Sequence, residues 1–125
     1  MSFCTAINCM DGRVQLPVFE FLTDFFDVEY VDTVTEPGVN RILAEATNQP
    51  LLDSIETRVR ISVEKHGSVG IAIVGHYDCA GNPTPEEAQT DHTQAAVQYI
   101  KKMFPDVSVI GLWVDQDWRV TRITD

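Results

Sequence analysis

Two short polar clusters carry the side chains of this sequence that are best suited to chemistry. Cys9, Asp11 and Arg13 alternate in the first cluster, and His76 and Cys79 stand in the second with two residues between them. Two thiolates and one imidazole suit Zn²⁺, which takes sulfur and nitrogen ligands. Three protein ligands with one open position are typical of catalytic zinc, whereas four are typical of structural zinc. We therefore predict one zinc ion held by Cys9, His76 and Cys79.

Asp11 has two alternatives at such a site. It can fill the fourth zinc position and close the site, or it can pair with Arg13 and leave that position to a water molecule. A guanidinium suits the second role because its planar fork holds a carboxylate in a fixed pose. Zinc lowers the pKa of a bound water to about 7, which gives a hydroxide that attacks small electrophilic carbons. A third alternative is that Asp11 and Arg13 form an ion pair that only supports the fold.

Each cluster follows a segment that the pattern predicts to be a buried strand. Residues 3–8 are short and mostly apolar, and residues 69–74 form a nearly continuous apolar run, as in a strand buried on both faces of a parallel sheet. In open α/β sheets, ligands bind beyond the carboxyl ends of the strands. If these two strands are neighbours, both clusters meet at one edge of the sheet.

The rest of the chain alternates strands and helices. Helices are predicted to start at Pro17, Val39, Pro50 and Pro85. Further strands are predicted at residues 28–34, 107–114 and 118–123. This order, β-α-β-α-α-β-α-β-β, predicts an α/β fold: a mainly parallel central sheet flanked by helices in three layers, with a hairpin at its C-terminal edge. We expect residues 1–125 to form a single zinc-binding domain.

Two helices carry more detailed predictions. The capping box Thr84-Pro85-Glu86-Glu87 opens the last helix, whose inward residues are predicted to be Ala88, Ala95, Tyr99 and Met103. The helix at Pro17 is predicted to bury Val18, Leu22 and Phe25. Too many phenylalanines crowd this helix for one apolar face, which indicates a subunit interface; they are Phe19, Phe21, Phe25 and Phe26. Trp113 and Trp118 are expected in the core or at a subunit contact.

The remaining cysteine and histidines have less specific predictions. Cys4 lies in the first strand at an odd spacing from Cys9, so we expect the two on opposite faces and Cys4 in the core. His66 is expected at a helix end, where the macrodipole favours an imidazolium. His92 lies within the last helix, either as an exposed surface residue or as a proton relay to solvent.

Charge and composition exclude several classes of function. The 125 residues carry a formal net charge of −10, which argues against nucleic acid and anionic membranes because both bind basic surfaces. No apolar run approaches the ~20 residues of a membrane helix, and the N-terminus lacks the basic region of a signal peptide. Three cysteines cannot all pair within one chain, which favours metal ligands, reactive groups or small buried residues in a reducing compartment. We expect a cytoplasmic protein.

The two clusters together resemble the motifs of the β-class carbonic anhydrases. That family carries C-x-D-x-R after its first strand and H-x-x-C after its third, and the resemblance extends over roughly residues 3–123. It implies zinc on Cys9, His76 and Cys79. It also implies an aspartate–arginine dyad of Asp11 and Arg13, reversible hydration of carbon dioxide to bicarbonate and a proton, and a homodimer or larger homo-oligomer.

The sequence also departs from the family pattern. Gly12 stands where serine is common, Ala80 replaces the first glycine of Cys-Gly-Gly, and prolines stiffen residues 82–85. The chain is also shorter than most members. Two alternatives therefore accompany the main prediction. One is a zinc hydrolase of the same fold that acts on carbonyl sulfide or carbon disulfide, and the other is a catalytically degenerate zinc-binding scaffold.

Overall fold

A computed structural model describes residues 1–123 and contains a five-stranded sheet with flanking helices. The strands are Phe3–Asn8 (β1), Tyr30–Thr35 (β2), Gly70–His76 (β3), Ser108–Val114 (β4) and Val120–Ile123 (β5). The helices are Gln15–Phe25 (α1), Val39–Glu45 (α2), Gln49–Lys65 (α3) and Glu86–Met103 (α4), and a 3-10 turn at Gly12–Val14 precedes α1. The predicted order of elements is confirmed.

The sheet has the strand order β2-β1-β3-β4-β5. The first four strands run parallel, and β5 pairs antiparallel with β4, as the predicted C-terminal hairpin requires. The strands β1 and β3 are therefore neighbours, and their carboxyl ends lie at the same edge. This adjacency brings the two polar clusters of the sequence together.

Two apolar layers cover the two faces of the sheet, because successive residues of a strand point to opposite sides. Ile71 and Ile73 of β3 pack on the side of α2, α3 and α4, whereas Ala72 and Val74 pack on the side of α1. The helices present apolar stripes to the sheet, with Leu52, Ile55 and Val59 of α3 buried. Each large aliphatic side chain buried in this way contributes about 1.5–3 kcal/mol. The predicted three-layer α/β fold is confirmed.

The inward face of α4 matches the predicted one in part. Tyr99 and Met103 are partly buried against the core, as predicted, whereas Ala95 is exposed. The buried positions of the helix are Gln89, Thr93, Ala96, Val97 and Ile100. Polar side chains occupy two of these positions, which a pattern built on apolar residues does not identify. The polar pair has its own partners, which are described below.

The capping box at the start of α4 does not form. The N-cap position is Pro85 rather than Thr84, and no side chain caps the helix there. The Thr84 hydroxyl instead donates to Asn82 Oδ1 at 2.9 Å. The proline-rich loop before the helix therefore uses its threonine to hold its own turn.

The phenylalanines of α1 divide between the core and the surface. Val18 and Leu22 are buried as predicted, but Phe25 is 42% exposed and its predicted inward orientation is wrong. Phe19 is 44% exposed, whereas Phe21 and Phe26 pack partly against the core. The helix thus has an apolar surface beyond its core-facing stripe, as the crowding of phenylalanines predicted.

Cys4 is fully buried, which confirms its predicted place in the core. Cys9 packs against the same apolar layer as Cys4, so the predicted placement of the two thiols on opposite faces is wrong. The reason is that β1 ends at Asn8, and strand alternation does not extend to Cys9. Trp113 is buried and Trp118 partly buried. No helix within residues 1–123 has the length and apolar character needed to cross a membrane.

The two remaining histidines both have side-chain partners. His66 occupies the C-cap position of α3, as predicted, and its Nδ1 lies 2.6 Å from Asp32 Oδ2. His92 is half-buried, and its Nδ1 lies 3.0 Å from Asn82 Nδ2. The expectation of an exposed His92 is wrong because the loop before α4 folds back over this part of the helix.

Candidate metal centre

The carboxyl ends of β1 and β3 hold three side chains that fit a metal ion. Cys9 follows the last residue of β1, His76 ends β3, and Cys79 lies in the loop that follows. All three residues are buried, and one ligand atom of each lies within 4.8 Å of the other two. Within residues 1–123, this is the one group of three or more cysteine, histidine or acidic side chains gathered in this way.

The spacing of the sulfur atoms matches a tetrahedral site. Cys9 Sγ lies 3.8 Å from Cys79 Sγ, too far for a disulfide bond. In a tetrahedral zinc site with Zn–S bonds of about 2.3 Å, two sulfur ligands stand about 3.8 Å apart. The thiols are therefore already at the separation that an ion between them requires.

The imidazole of His76 presents a free nitrogen to the same space. Its Nδ1 donates to the Tyr77 carbonyl oxygen at 2.8 Å, so Nε2 carries the lone pair. Among the described residues, His76 Nε2 is the one buried side-chain nitrogen or oxygen without a hydrogen-bond partner. Leaving such a group unpaired costs about 1–3 kcal/mol. A metal–nitrogen bond removes this cost, so the donor set fits a zinc ion.

The two thiols share one proton more readily than they lose both. A hydrogen bond from Cys79 lowers the pKa of Cys9, and the same bond raises the pKa of Cys79. Burial opposes the charged form of both thiols. The pair therefore carries one negative charge, and a divalent cation between the sulfurs supplies the positive charge that favours loss of the second proton.

His76 responds to the same charge. Burial lowers the pKa of its imidazole, but the neighbouring Cys9 sulfur and the Tyr77 carbonyl raise it by more. A protonated imidazole cannot bind a metal, so any proton on His76 Nε2 has to leave when a metal binds there.

Asp11 is held by Arg13 and not by the ligand group. Arg13 Nη2 donates to Asp11 Oδ2 at 2.7 Å, and Arg13 Nε donates to Asp11 Oδ1 at 3.0 Å. The backbone N–H of Arg13 adds a bond to Oδ1 at 2.9 Å. This bidentate pair corresponds to the open alternative of the sequence analysis. These bonds lower the pKa of Asp11 to about 2, so the carboxylate stays ionised at neutral pH.

Arg13 also connects the two clusters. Its Nη1 lies 3.2 Å from Asp78 Oδ2, and its Nη2 donates to the Asp78 carbonyl oxygen at 3.2 Å. The guanidinium stacks over the ring of Trp118, 4.6 Å from its centroid. One side chain from the first cluster is therefore fixed by the second cluster and by the segment leading to β5. Five donors in a rigid fork make arginine suited to this bridging role.

The loop after Cys79 passes very close to the loop that precedes α2. A Cβ at Gly81 would lie 2.4 Å from the Pro37 carbonyl carbon, and one at Gly38 would lie 2.5 Å from the carbonyl carbon of Gly81. Only glycine permits this approach of two backbones. By contrast, Ala80 is exposed, and a Cβ at Gly12 meets nothing within 4 Å. Both departures from the family pattern are therefore compatible with the geometry of the site.

Behind the three candidate ligands lies a buried polar network that the sequence patterns did not predict. Asn40, Asn82, Gln89 and Thr93 are all buried. Asn40 Nδ2 donates to Gln89 Oε1 at 3.2 Å and to Thr93 Oγ1 at 3.1 Å, while Asn82 Nδ2 donates to Asn40 Oδ1 at 3.1 Å. The signal in the sequence is the polar pair Gln89 and Thr93, which lie on one side of α4 in place of apolar residues.

The protein is an α/β protein whose sheet is parallel except for the antiparallel edge strand β5. It has a candidate metal site formed by Cys9, His76 and Cys79. A family model described as "Putative carbonic anhydrase" matches residues 1–124, and the chain belongs to this family. A comparison with curated protein sequences finds no match.

Two solved structures show the same fold. One is the β-carbonic anhydrase CafA of the fungus Aspergillus fumigatus, with 14% identity and a TM-score of 0.55, over 97% of this chain and 74% of that one. The other is one of two tetrameric β-carbonic anhydrases of the ascomycete Sordaria macrospora, with 12% identity and a TM-score of 0.57, over 98% of this chain and 80% of that one. The resemblance stated from the motifs is thus confirmed at the level of family and fold.

Proposed function

We propose that this chain is a zinc-dependent carbonic anhydrase that hydrates carbon dioxide reversibly to bicarbonate and a proton. The observation that carries the proposal is the gathering of Cys9, His76 and Cys79 around a buried, unpartnered imidazole nitrogen. Zinc held there supplies hydroxide near neutral pH, because it lowers the pKa of its water to about 7. Membership of the carbonic anhydrase family supports the same reaction.

Asp11 and Arg13 form the catalytic pair in this proposal. The guanidinium engages both carboxylate oxygens and thereby keeps Asp11 off the metal. A zinc ion held by the three ligands would then keep one position open for the reacting groups. The ionised carboxylate accepts a hydrogen bond from a donor at that position and so sets its orientation. Arg13 in turn is held by Asp78, so the carboxylate has little freedom to rotate towards the ligands.

The test is stopped-flow hydration of carbon dioxide by protein of measured metal content, from pH 7 to pH 9. We expect zinc near one per chain and a rate that rises with pH. A matched sample of the Cys9→Ala variant serves as the control for background hydration. The proposal fails if fully zinc-loaded protein hydrates carbon dioxide no faster than this control.

The same samples separate the alternatives. Release of hydrogen sulfide from carbonyl sulfide, without carbon dioxide hydration, would indicate the hydrolase of the same fold. Full zinc occupancy without turnover of either substrate would indicate a scaffold in which the metal serves folding alone. Another divalent metal at one per chain would keep the site but change its chemistry.

We further propose that the chain forms a homodimer or larger homo-oligomer through α1. The exposed rings of Phe19 and Phe25 support this, as does the tetrameric state of the Sordaria macrospora enzymes. Sedimentation of Phe19→Glu protein should show a smaller species than the unchanged chain. Ile61→Glu places the same charge at an exposed apolar position of α3 and should leave the assembly unchanged.

We also propose a cytoplasmic location for the protein. Its three cysteines are free thiols, and a reducing compartment keeps thiols in this state.

A further inference from the structure

β3, the strand that ends at His76, extends beyond its pairing with β1. β1 pairs with β3 only from Thr5 opposite Ile71 to Ile7 opposite Ile73, whereas β4 accompanies β3 as far as His76. In a parallel strand, the N–H and C=O of one residue point towards the same neighbour. The N–H of the next residue, Tyr77, donates to the Val114 carbonyl oxygen of β4 at 2.9 Å, so the His76 peptide groups face the opposite side, towards β1. No strand remains there to receive them. Buried peptide groups of this kind need another partner.

Gln89 of α4 supplies that partner. Its Oε1 accepts from the His76 N–H at 3.1 Å, and its Nε2 donates to the His76 carbonyl oxygen at 2.7 Å. One fully buried amide therefore pairs with both peptide groups of one residue, as a neighbouring strand would. The same Nε2 lies 3.2 Å from the Asn82 carbonyl oxygen, which ties the loop after Cys79 to the same amide.

A glycine on β3 makes room for this arrangement. A Cβ at Gly75 would lie 2.8 Å from Asn40 Nδ2, 2.9 Å from Thr93 Oγ1 and 3.1 Å from Gln89 Oε1. The position directly before the ligand histidine thus has to lack a side chain for the amide to reach the strand. The donors and acceptors of the network also match, since Asn40 Nδ2 donates to the Gln89 oxygen that accepts from His76.

We propose that Gln89 is a positioning residue of the metal centre, whose amide replaces the missing strand neighbour of His76 and fixes the backbone from which the imidazole projects. The inference rests on the proposed zinc site. Loss of the amide should free the end of β3 and misplace Nε2 relative to the two sulfurs. Gln89 itself touches neither the metal ligand atoms nor a substrate, so its effect should appear first in metal affinity.

The experiment compares Gln89→Met with Thr93→Val in the full chain. Methionine keeps the length of the side chain and removes the amide, whereas valine removes the hydroxyl of a neighbour that contacts Asn40 but has no bond to His76. Zinc affinity is measured by competition with a chromophoric chelator, and Co²⁺ absorption reports the geometry of the site. We expect about tenfold weaker zinc binding for Gln89→Met, as for other partners that orient metal ligands. Thr93→Val should bind zinc like the unchanged protein.

A second pair of variants applies if Gln89→Met does not fold. Gly75→Ala pushes against the amide cluster, while Gly111→Ala places a methyl on the next strand, 2.9 Å from Thr93 Cγ2 and away from Gln89. Only Gly75→Ala should weaken zinc binding and change the Co²⁺ spectrum. Equal affinity losses within either pair, or no loss from Gln89→Met, would overturn the positioning role.

Hydrogen exchange separates this proposal from the proposed function. In metal-free protein, the His76 amide should exchange faster in Gln89→Met than in Thr93→Val at matched global stability. Unchanged exchange would overturn the positioning role. A protein that binds zinc with the predicted differences but does not hydrate carbon dioxide overturns only the proposed activity. A protein that binds no zinc overturns the metal site, while the exchange data still decide whether Gln89 holds His76.

Discussion

A hydroxyl cluster and a cysteine–histidine cluster lie buried at opposite ends of the same sheet, and they differ in how completely their polar atoms are hydrogen-bonded. At the amino ends of the strands, Thr5 Oγ1 lies 2.6 Å from Ser62 Oγ and donates to Ser68 Oγ at 2.7 Å. Ser68 donates onward to the Gly70 carbonyl oxygen, and Ser62 donates to Asp32 Oδ2 at 2.7 Å. Every member of this hydroxyl cluster finds its partners within the protein.

The carboxyl ends of the strands are built differently. Two thiols face one another across 3.8 Å, and His76 Nε2 has no partner although it is buried. A complete polar network holds elements together, whereas a buried polar atom left unpaired needs something else to satisfy it. The hydroxyl cluster therefore stabilises the fold, while the cysteine–histidine cluster keeps a buried nitrogen that a bound ion would satisfy.

Loss of one proposed metal ligand should give the largest effect. Cys79→Ala removes one of three protein donors, so zinc affinity should fall by more than the about 10- to 100-fold loss seen when a ligand's hydrogen-bond partner is mutated. Chelator competition measures this affinity. Cys4→Ala is the matched control, because that thiol lies in the core and outside the ligand group. Equal affinity for zinc in the two variants would contradict the assignment of the ligands.

Removal of the metal should give the next largest effect. Zinc that binds only the folded chain stabilises it by about 4 kcal/mol when its free concentration is about 1,000 times its Kd. Chelation should lower the free energy of unfolding by this amount, as measured by urea denaturation with and without excess zinc. The same chelation should lower the free energy of unfolding of Cys79→Ala by less, because that variant binds zinc more weakly. If the unaltered chain unfolds at the same urea concentration in both conditions, the cysteine–histidine cluster is not prepared for zinc.

Much of the fold follows from local patterns in the sequence. The apolar run before His76 predicts a strand buried on both faces, and the stripe of Leu52, Ile55 and Val59 predicts α3. The adjacency of β1 and β3 is not local, and the sequence patterns offer it only as a condition for the two motifs to meet at the carboxyl ends of the strands. The structure meets this condition, and Cys9, His76 and Cys79 lie together in space.

The parts that the sequence did not predict depend on contacts between distant segments. Gln89 and Thr93 face the core because Asn40 and the end of β3 provide their hydrogen bonds, and no apolar periodicity reveals this. The bidentate pairing of Asp11 with Arg13 also involves a distant residue, because Asp78 accepts a further hydrogen bond from the same guanidinium. Polar specificity of this kind is set by tertiary geometry rather than by residue type or spacing.

A substitution in the hydroxyl cluster should lower the stability of the fold without changing the affinity for zinc. Ser62→Ala removes a buried donor to Asp32 and the contact between Thr5 and Ser62, while Thr5 still donates to Ser68. The free energy of unfolding should fall by about 0.5–1.5 kcal/mol, the net contribution of a hydrogen bond, because Thr5 and Asp32 keep their other partners. Urea denaturation measures this loss, and chelator competition on the same sample checks that zinc affinity is unchanged. A clear drop in zinc affinity would show that the two ends of the sheet are coupled.

Thiol reactivity should distinguish the two ends without any mutation. Burial, with a further contribution from Asp32, raises the pKa of Cys4 to about 11, so its thiol is protonated and shielded at pH 8. Cys9 has a lowered pKa and forms a thiolate that reacts readily when no metal protects it. A maleimide or disulfide reagent should therefore modify Cys9 first in metal-free native protein, as mass spectrometry of peptides can show. Saturating zinc should suppress that modification, and guanidinium chloride should expose Cys4.

Rapid labelling of Cys4 in the native chain would mean that the amino ends of the strands open more easily than their hydrogen bonding implies. Labelling of Cys9 that zinc does not slow would remove the distinction between the two clusters.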